Sequence, residues 1–126
     1  MRRDYPIDPQ RTLIAGFSQG GGLALRLALM HGGPSARFLM IAPYLPDLDA
    51  LPDAPAEVPT GARGYMVTGG KDNDNGLFDR IEQRLQSLKV PTLREHHPEL
   101  GHAFPPDFAA TLDRALGFLF PAGGDA

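Results

Sequence analysis

The stretch GFSQGGG, residues 16–22, constrains the fold more than any other, because four glycines surround a single serine between two apolar segments. The apolar and β-branched run from Thr12 to Phe17 predicts a strand, and the segment from Gln19 to about His31 predicts a helix. Glycine is a poor residue with which to begin a helix. The glycines therefore serve close packing, and the sequence predicts a sharp strand–turn–helix unit with Ser18 at the turn.

Strands and helices are predicted to alternate along the rest of the chain. Three further apolar runs predict strands at Phe38 to Ala42, Tyr65 to Thr68 and Thr92 to His96. Apolar residues at helical spacing predict helices over residues 75–89 and 107–120. This alternation predicts an α/β fold of about four parallel strands, joined by right-handed crossovers, with helices on both faces. The first helix is apolar nearly all round, so we expect it to be well buried.

Composition limits the classes of protein that the chain can belong to. A length of 126 residues predicts one domain, residues 1–126, and a net charge of −3 gives no basic surface for nucleic acid. There is no cysteine, which excludes disulfides, and the cytoplasm is the default expectation. The opening MRRDYPIDPQR is followed by too few apolar residues for a signal peptide or membrane span. The histidines lack the spacing of metal ligands, so we expect no metal or cofactor.

The segment Pro43 to Gly61 contains five prolines and four acidic residues, which exclude a regular helix. Two interpretations remain open for this long loop. It is either a connector that proline keeps rigid or the rim of a substrate pocket, since long loops in compact domains often carry binding residues.

The pattern Gly16-x-Ser18-x-Gly20 between a strand and a helix is typical of a nucleophile elbow. Glycines two residues before and after the serine leave room for a tight turn, and the following helix directs its free amide groups and the positive end of its dipole at the serine oxygen. A plain helix N-cap is the alternative for Ser18, but it does not explain the glycines on both sides.

A serine hydroxyl needs a base and an orienting acid to become a nucleophile. Asp72 follows the third predicted strand in VTGGKDND, and His102 lies in ELGHAFPPDF before the last helix. The chain order serine, acid, histidine is that of α/β-hydrolases. Asp74 is an alternative acid on the same turn. Among the other histidines, His31 lies at the end of a predicted helix, and His96 and His97 lie on or just after the fourth strand.

The stretches GFSQGGGLALRLAL, VTGGKD and GHAFPPDF resemble the C-terminal half of an α/β-hydrolase of the carboxylesterase and phospholipase-like group, which includes the acyl-protein thioesterases. The resemblance implies that Ser18 is the nucleophile, His102 the general base and Asp72 the orienting acid. It also implies that Gln19 supplies one backbone donor of the oxyanion hole.

Only a short segment precedes Ser18, where this family places roughly half its fold and a second oxyanion donor. Two functions are therefore expected. The first is a serine hydrolase that cleaves a small-molecule carboxylic ester or thioester through an acyl-enzyme. The alternative is a truncated, catalytically weak or silent remnant that acts as a binding or assembly module. Without the first half of the fold, the strand from Thr12 to Phe17 becomes a sheet edge, so we expect a homo-oligomer.

Overall fold

The computed structural model describes residues 12–121 and contains one parallel sheet. Its strands lie in the order β1-β2-β3-β4, and every neighbouring pair is parallel. The strands are β1 Ile14–Phe17, β2 Arg37–Ile41, β3 Arg63–Gly69 and β4 Thr92–His97. The predicted α/β class and the four parallel strands are confirmed. The first strand begins two residues later than predicted, and the third is longer at both ends.

Three helices connect or follow the strands, as predicted: α1 Gln19–Ala28, α2 Leu77–Ser87 and α3 Phe108–Leu119. The first ends three residues before the predicted His31, just ahead of the sequence MHGGP. Gly32 has φ +79°, a conformation that side chains with a Cβ rarely adopt, so the glycine pair ends this helical segment.

The core is divided between the two faces of the sheet because side chains alternate along each strand. On β2, Phe38 and Met40 pack with α1 and α2, whereas Leu39 and Ile41 pack with α3. The helices therefore cover both faces, as predicted. Each fully buried leucine or isoleucine in such a core contributes about 1.5–3 kcal/mol through burial.

The prediction that α1 is well buried is wrong for its outer side. Leu25 and Ala28 are buried in the core, but Leu23 is 54% exposed and Arg26 is exposed. The helix packs on β1 and β2, and β1 has no other strand beside it among residues 12–121. Although α1 has apolar residues on all sides, only the side that faces β1 and β2 is therefore buried in the core.

The loop from Pro43 to Gly61 contains only two short 3-10 turns, Leu48–Ala50 and Pro55–Glu57, so the predicted lack of regular helix is confirmed. Leu45 and Leu51 anchor the loop in the core. Within the described part of the chain, no helix is long and apolar enough to cross a membrane. The prediction that residues 1–11 carry no signal peptide falls outside the described residues.

Candidate active site

Ser18 lies at the carboxyl end of β1 in a backbone conformation that non-glycine residues rarely adopt, with φ 58° and ψ −119°. Its N–H donates to the carbonyl of Ile41, which holds the turn against the end of β2. The side chain makes no capping hydrogen bond to α1. The plain N-cap interpretation is therefore wrong, and the hydroxyl is available for another partner. Strain of this kind costs about 1–3 kcal/mol and is concentrated at functional sites.

The glycines around Ser18 do not all serve the same purpose. A Cβ at Gly16 would lie 2.1 Å from the carbonyl oxygen of Gly20, and a Cβ at Gly22 would lie 2.1 Å from that of Tyr44. These two positions require glycine because the backbones approach closely. A Cβ at Gly20 would meet nothing within 4 Å among the described residues. The prediction that Gly20 makes room for the turn is therefore wrong: Gly16 makes that room, and Gly22 lets α1 approach the loop after β2.

The structure brings together the three side chains that the sequence singled out. His102 Nε2 lies 3.0 Å from Ser18 Oγ, and His102 Nδ1 lies 2.8 Å from Asp72 Oδ2. The Asp72 side chain is only 10% exposed, whereas that of His102 is 47% exposed. A carboxylate at Nδ1 favours the tautomer with the proton on that nitrogen, which leaves Nε2 to accept the proton of the serine hydroxyl.

The alternative acid, Asp74, has a different contact. Its Oδ2 accepts a hydrogen bond of 2.7 Å from the backbone N–H of Phe78, in the first turn of α2. Asp74 therefore stabilises the start of the helix, since the first N–H groups of a helix lack partners within it. Of the two carboxylates on this turn, Asp72 is the one that contacts His102.

The alternative histidines lie elsewhere. His96 Nδ1 lies 2.8 Å from Thr68 Oγ1, and His97 Nε2 lies 2.6 Å from Glu95 Oε2, both on β4. His31 is exposed beyond the end of α1.

Aromatic side chains pack beside the three polar groups, and the sequence analysis did not single them out. The Phe17 ring lies 4.9 Å from the His102 ring and is stacked on Phe104 at 5.0 Å between centroids. Phe104 in turn meets Phe108 edge to face at 5.3 Å. These contacts hold the His102 loop against the end of β1. The indication was present in the sequence, because Phe17 precedes Ser18 and Phe104 follows His102 by two residues.

An open cleft of about 610 Å³ lies beside Ser18, between the loop after β2 and the loop after β3. Buried Pro43, Leu77 and Phe78 form apolar parts of its wall, and exposed Gln19 and Tyr44 lie at its surface. The first residues of the Pro43–Gly61 loop therefore line this cleft, while later residues anchor the loop. That a substrate occupies the cleft stays a prediction. Among residues 12–121, no three His, Asp or Glu side chains are grouped so that they could hold a metal ion.

A second histidine–carboxylate pair lies on β4 and is partly buried, with its carboxylate facing α3. Arg114 donates from Nε and Nη2 to the two oxygens of Glu95, both at 2.9 Å, and Thr111 and Tyr65 donate to the same carboxylate. These bonds, that from Arg114 above all, hold the pKa of Glu95 well below its ordinary value although burial opposes the shift. Burial, together with the bond to Glu95, raises the pKa of Tyr65 to about 12.

The parallel sheet, with a strained serine turn at the carboxyl end of a strand and loops from neighbouring strands converging on it, is the arrangement of an α/β-hydrolase. A family model described as Phospholipase/Carboxylesterase matches residues 2–108. The chain therefore belongs to the phospholipase/carboxylesterase family. The resemblance seen in the sequence is confirmed.

Solved structures similar to this chain share its fold. SOBER1 of Arabidopsis thaliana superposes with a TM-score of 0.71 at 18% identity, covering 90% of this chain and 55% of SOBER1. An uncharacterised protein of Bacillus cereus has a TM-score of 0.72 at 26% identity, covering 85% of this chain and 36% of that one. MGS-M1, an α/β-hydrolase enzyme from a deep-sea metagenome library, has a TM-score of 0.70 at 17% identity, covering 90% and 56%.

This chain thus spans about half the length, or less, of these structures. Comparison with curated protein sequences finds no match.

Proposed function

We propose that this chain is a serine hydrolase that cleaves carboxylic esters or thioesters, with Ser18 as nucleophile, His102 as general base and Asp72 as orienting acid. One observation carries the proposal: Ser18 Oγ, both ring nitrogens of His102 and Asp72 Oδ2 form a continuous chain with contacts of 3.0 Å and 2.8 Å. The three residues come from three separate strand ends, so a local sequence preference does not account for the alignment. Membership of a phospholipase/carboxylesterase family supports the same chemistry.

In the proposed reaction, Ser18 Oγ attacks the carbonyl carbon of the ester while its proton passes to His102 Nε2. The protonated imidazole then donates that proton to the departing alcohol or thiol, which leaves an acyl group on Ser18. Water then attacks the acyl-enzyme while His102 Nε2 takes its proton. That proton passes to Ser18 Oγ as the bond between Oγ and the acyl carbon breaks, and the carboxylic acid is released. Asp72, which is largely buried, stabilises the imidazolium that forms in each step.

Negative charge develops on the carbonyl oxygen during the attack and needs hydrogen-bond donors. We propose that the backbone N–H of Gln19, the first residue of α1, is one donor, because the first N–H groups of a helix have no partner within it. The end of α1 nearest Ser18 is its N-terminus, the positive end of the helix dipole, which further stabilises the negative charge on the carbonyl oxygen.

The experiment is a stopped-flow assay with p-nitrophenyl acetate. We expect a burst of p-nitrophenol as the acyl-enzyme forms, followed by slower turnover, and no burst from Ser18→Ala or His102→Gln. Ser35→Ala is the matched control, because Ser35 bonds backbone groups of Thr12 and Arg37, near the opposite ends of the strands. A folded wild-type chain that gives no burst and no turnover would refute the proposal.

A second candidate is a catalytically silent binding or assembly module, which is favoured by the chain spanning only 55% of SOBER1. Loss of one oxyanion donor costs about 10²–10³ in turnover, so a site completed by fewer donors would be slow. A chain that binds an ester analogue in the cleft but does not acylate at Ser18 would support this candidate over the hydrolase.

We also propose that two copies associate through β1. Among residues 12–121 this strand pairs only with β2, its sequence IAGF carries no charge or proline, and Ala15 is exposed. Edges without such features invite strand pairing, and a two-fold axis would align two copies antiparallel. Sedimentation velocity at micromolar concentration tests this. We expect a dimer that Ala15→Lys dissociates and that Leu93→Lys, on the opposite edge strand, does not; a compact wild-type monomer would contradict it.

A further inference from the structure

The cleft beside Ser18 contains acidic side chains, and neither lysine nor arginine is among the described residues that line it. Asp72 and Asp74 line it from the loop after β3, and the neighbouring Asn73, Asn75 and Gln19 add uncharged amides. His102 is the remaining group there that can become a cation, and it is paired with Asp72.

Cationic side chains on this loop and on the adjoining α2 and β4 have other partners. Lys71 Nζ lies 3.0 Å from Glu99 Oε1, and Arg94 pairs with Asp79 and Glu82 on α2 at 2.7 Å and 3.1 Å. Arg80 Nη1 donates to the backbone carbonyl of Asn75 at 3.0 Å and does not line the cleft. The described walls therefore offer an anionic group no ion pair inside the cleft.

The two carboxylates differ in what remains of their charge during the reaction. The negative charge of Asp72 is balanced when His102 takes the serine proton. Asp74 accepts a single bond from the neutral backbone N–H of Phe78, which leaves its charge in place. In the transition state the cleft wall therefore still carries the negative charge of Asp74. This charge repels an anionic substituent of the substrate.

We propose that the site selects esters whose substituents are uncharged or cationic and discriminates against esters that carry a phosphate or carboxylate, with Asp74 as a specificity-determining residue. The inference rests on the proposed hydrolase function. Within a phospholipase/carboxylesterase family, it favours simple carboxylic esters over phosphodiester-bearing lipids as substrates of this chain. The apolar wall of Pro43, Leu77 and Phe78 fits the uncharged part of such an ester.

The test compares esters that differ only in charge. One pair varies the acyl side, p-nitrophenyl butyrate against p-nitrophenyl hemisuccinate, and the other varies the alcohol side, methyl p-acetoxybenzoate against p-acetoxybenzoate. Each kcat/KM is divided by the rate of hydroxide hydrolysis of the same ester. In at least one pair we expect the neutral ester to be preferred about tenfold, and the preference to shrink in about 1 M NaCl, where the Debye length is about 3 Å.

Asp74→Asn removes the charge but keeps an oxygen that can accept from Phe78, and its thermal unfolding reports whether the loop is intact. We expect the preference for the neutral ester to fall at least about threefold. Asp113→Asn is the matched control, because it makes the same change in net charge. Asp113 is exposed on α3, which lies on the opposite face of the sheet from α2. That variant should keep the wild-type preference.

Equal kcat/KM within both pairs, or preference for the anionic esters, would overturn the inference while leaving the hydrolase proposal in place. A preference that Asp74→Asn and Asp113→Asn reduce equally would overturn the role of Asp74, since it would reflect net charge alone. Absence of hydrolysis of all four esters would refute the proposed function, and this inference with it.

Discussion

Among residues 12–121, two histidine–carboxylate pairs lie on or beside the sheet, and in one of them the histidine also contacts a serine hydroxyl. His102 and Asp72 meet at 2.8 Å at the carboxyl ends of the strands, and His97 and Glu95 meet at 2.6 Å on β4. The His102 ring continues to a serine hydroxyl, whereas Glu95 also accepts from Arg114, Thr111 and Tyr65. Both pairs join an imidazole nitrogen to a carboxylate oxygen at hydrogen-bond distance. The pairs differ in the other groups that the histidine and the carboxylate contact. From that difference we propose a catalytic role for the His102 pair and a structural role for the His97 pair.

The largest expected effect separates the two carboxylates by activity. Asp72→Asn should lower kcat for ester hydrolysis about 10⁴-fold, because an amide at that position favours the wrong tautomer of His102. Glu95→Gln should leave kcat within about threefold at a temperature where the variant is folded, since Glu95 does not contact the His102–Ser18 pair. Steady-state kinetics on both variants measures this. A comparable loss of kcat in both variants would mean that the two carboxylates do not have different roles.

The reverse ranking is expected for stability. Glu95→Gln should lower the free energy of unfolding by about 3 kcal/mol, because it removes charged hydrogen bonds from a group whose side chain is 12% exposed. Urea unfolding measures the loss. Asp72→Asn is the control, with an expected loss below about 1.5 kcal/mol, since Asp72 has a single side-chain partner in the site. If Asp72→Asn were the more destabilising change, the network on β4 would not be the structural one.

Part of the fold and of the candidate site could be predicted from the sequence alone. The α/β class, the strands and the Ser18, Asp72 and His102 candidates follow from periodicity and from glycines at strand ends, which are local patterns. The choice of Asp72 over Asp74 depends on contacts with a loop 30 residues away, so spacing left it open. The Glu95 network was not predicted, because Tyr65, Thr111 and Arg114 are distant in the chain and meet only when α3 packs on the sheet.

The pH dependence of stability should follow the Glu95 network at both ends of the scale. The folded pKa of Glu95 is depressed, so its contribution is complete above the ordinary value of 4.5 and is lost as the pH falls below it. The pKa of Tyr65 is raised to about 12, so its contribution is complete below 10.0 and is lost as the pH rises above that value.

Between about pH 6 and pH 3 the Glu95 contribution should fall by about 2 kcal/mol. Glu95→Gln should flatten the acid limb of the stability curve and Tyr65→Phe the alkaline limb, as measured by urea unfolding across pH. An acid limb unchanged by Glu95→Gln would show that other carboxylates set it.

The smallest expected effect separates the two histidines. His97→Gln should lower the free energy of unfolding by about 1 kcal/mol or less, because Glu95 keeps its other three partners, and it should leave ester turnover unchanged. His102→Gln should abolish turnover with a similarly small change in stability. Comparable turnover in the two variants would show that His102 is not the base.

The most direct test of the central claim, that the Ser18–His102–Asp72 arrangement activates Ser18, is labelling with a fluorophosphonate followed by mass spectrometry of the intact and digested chain. We expect one covalent adduct, located on Ser18, that is absent from Ser18→Ala, strongly slowed in Asp72→Asn, and formed at the wild-type rate in Glu95→Gln and Ser35→Ala. A folded chain that forms no adduct, or that reacts at another residue, would contradict it.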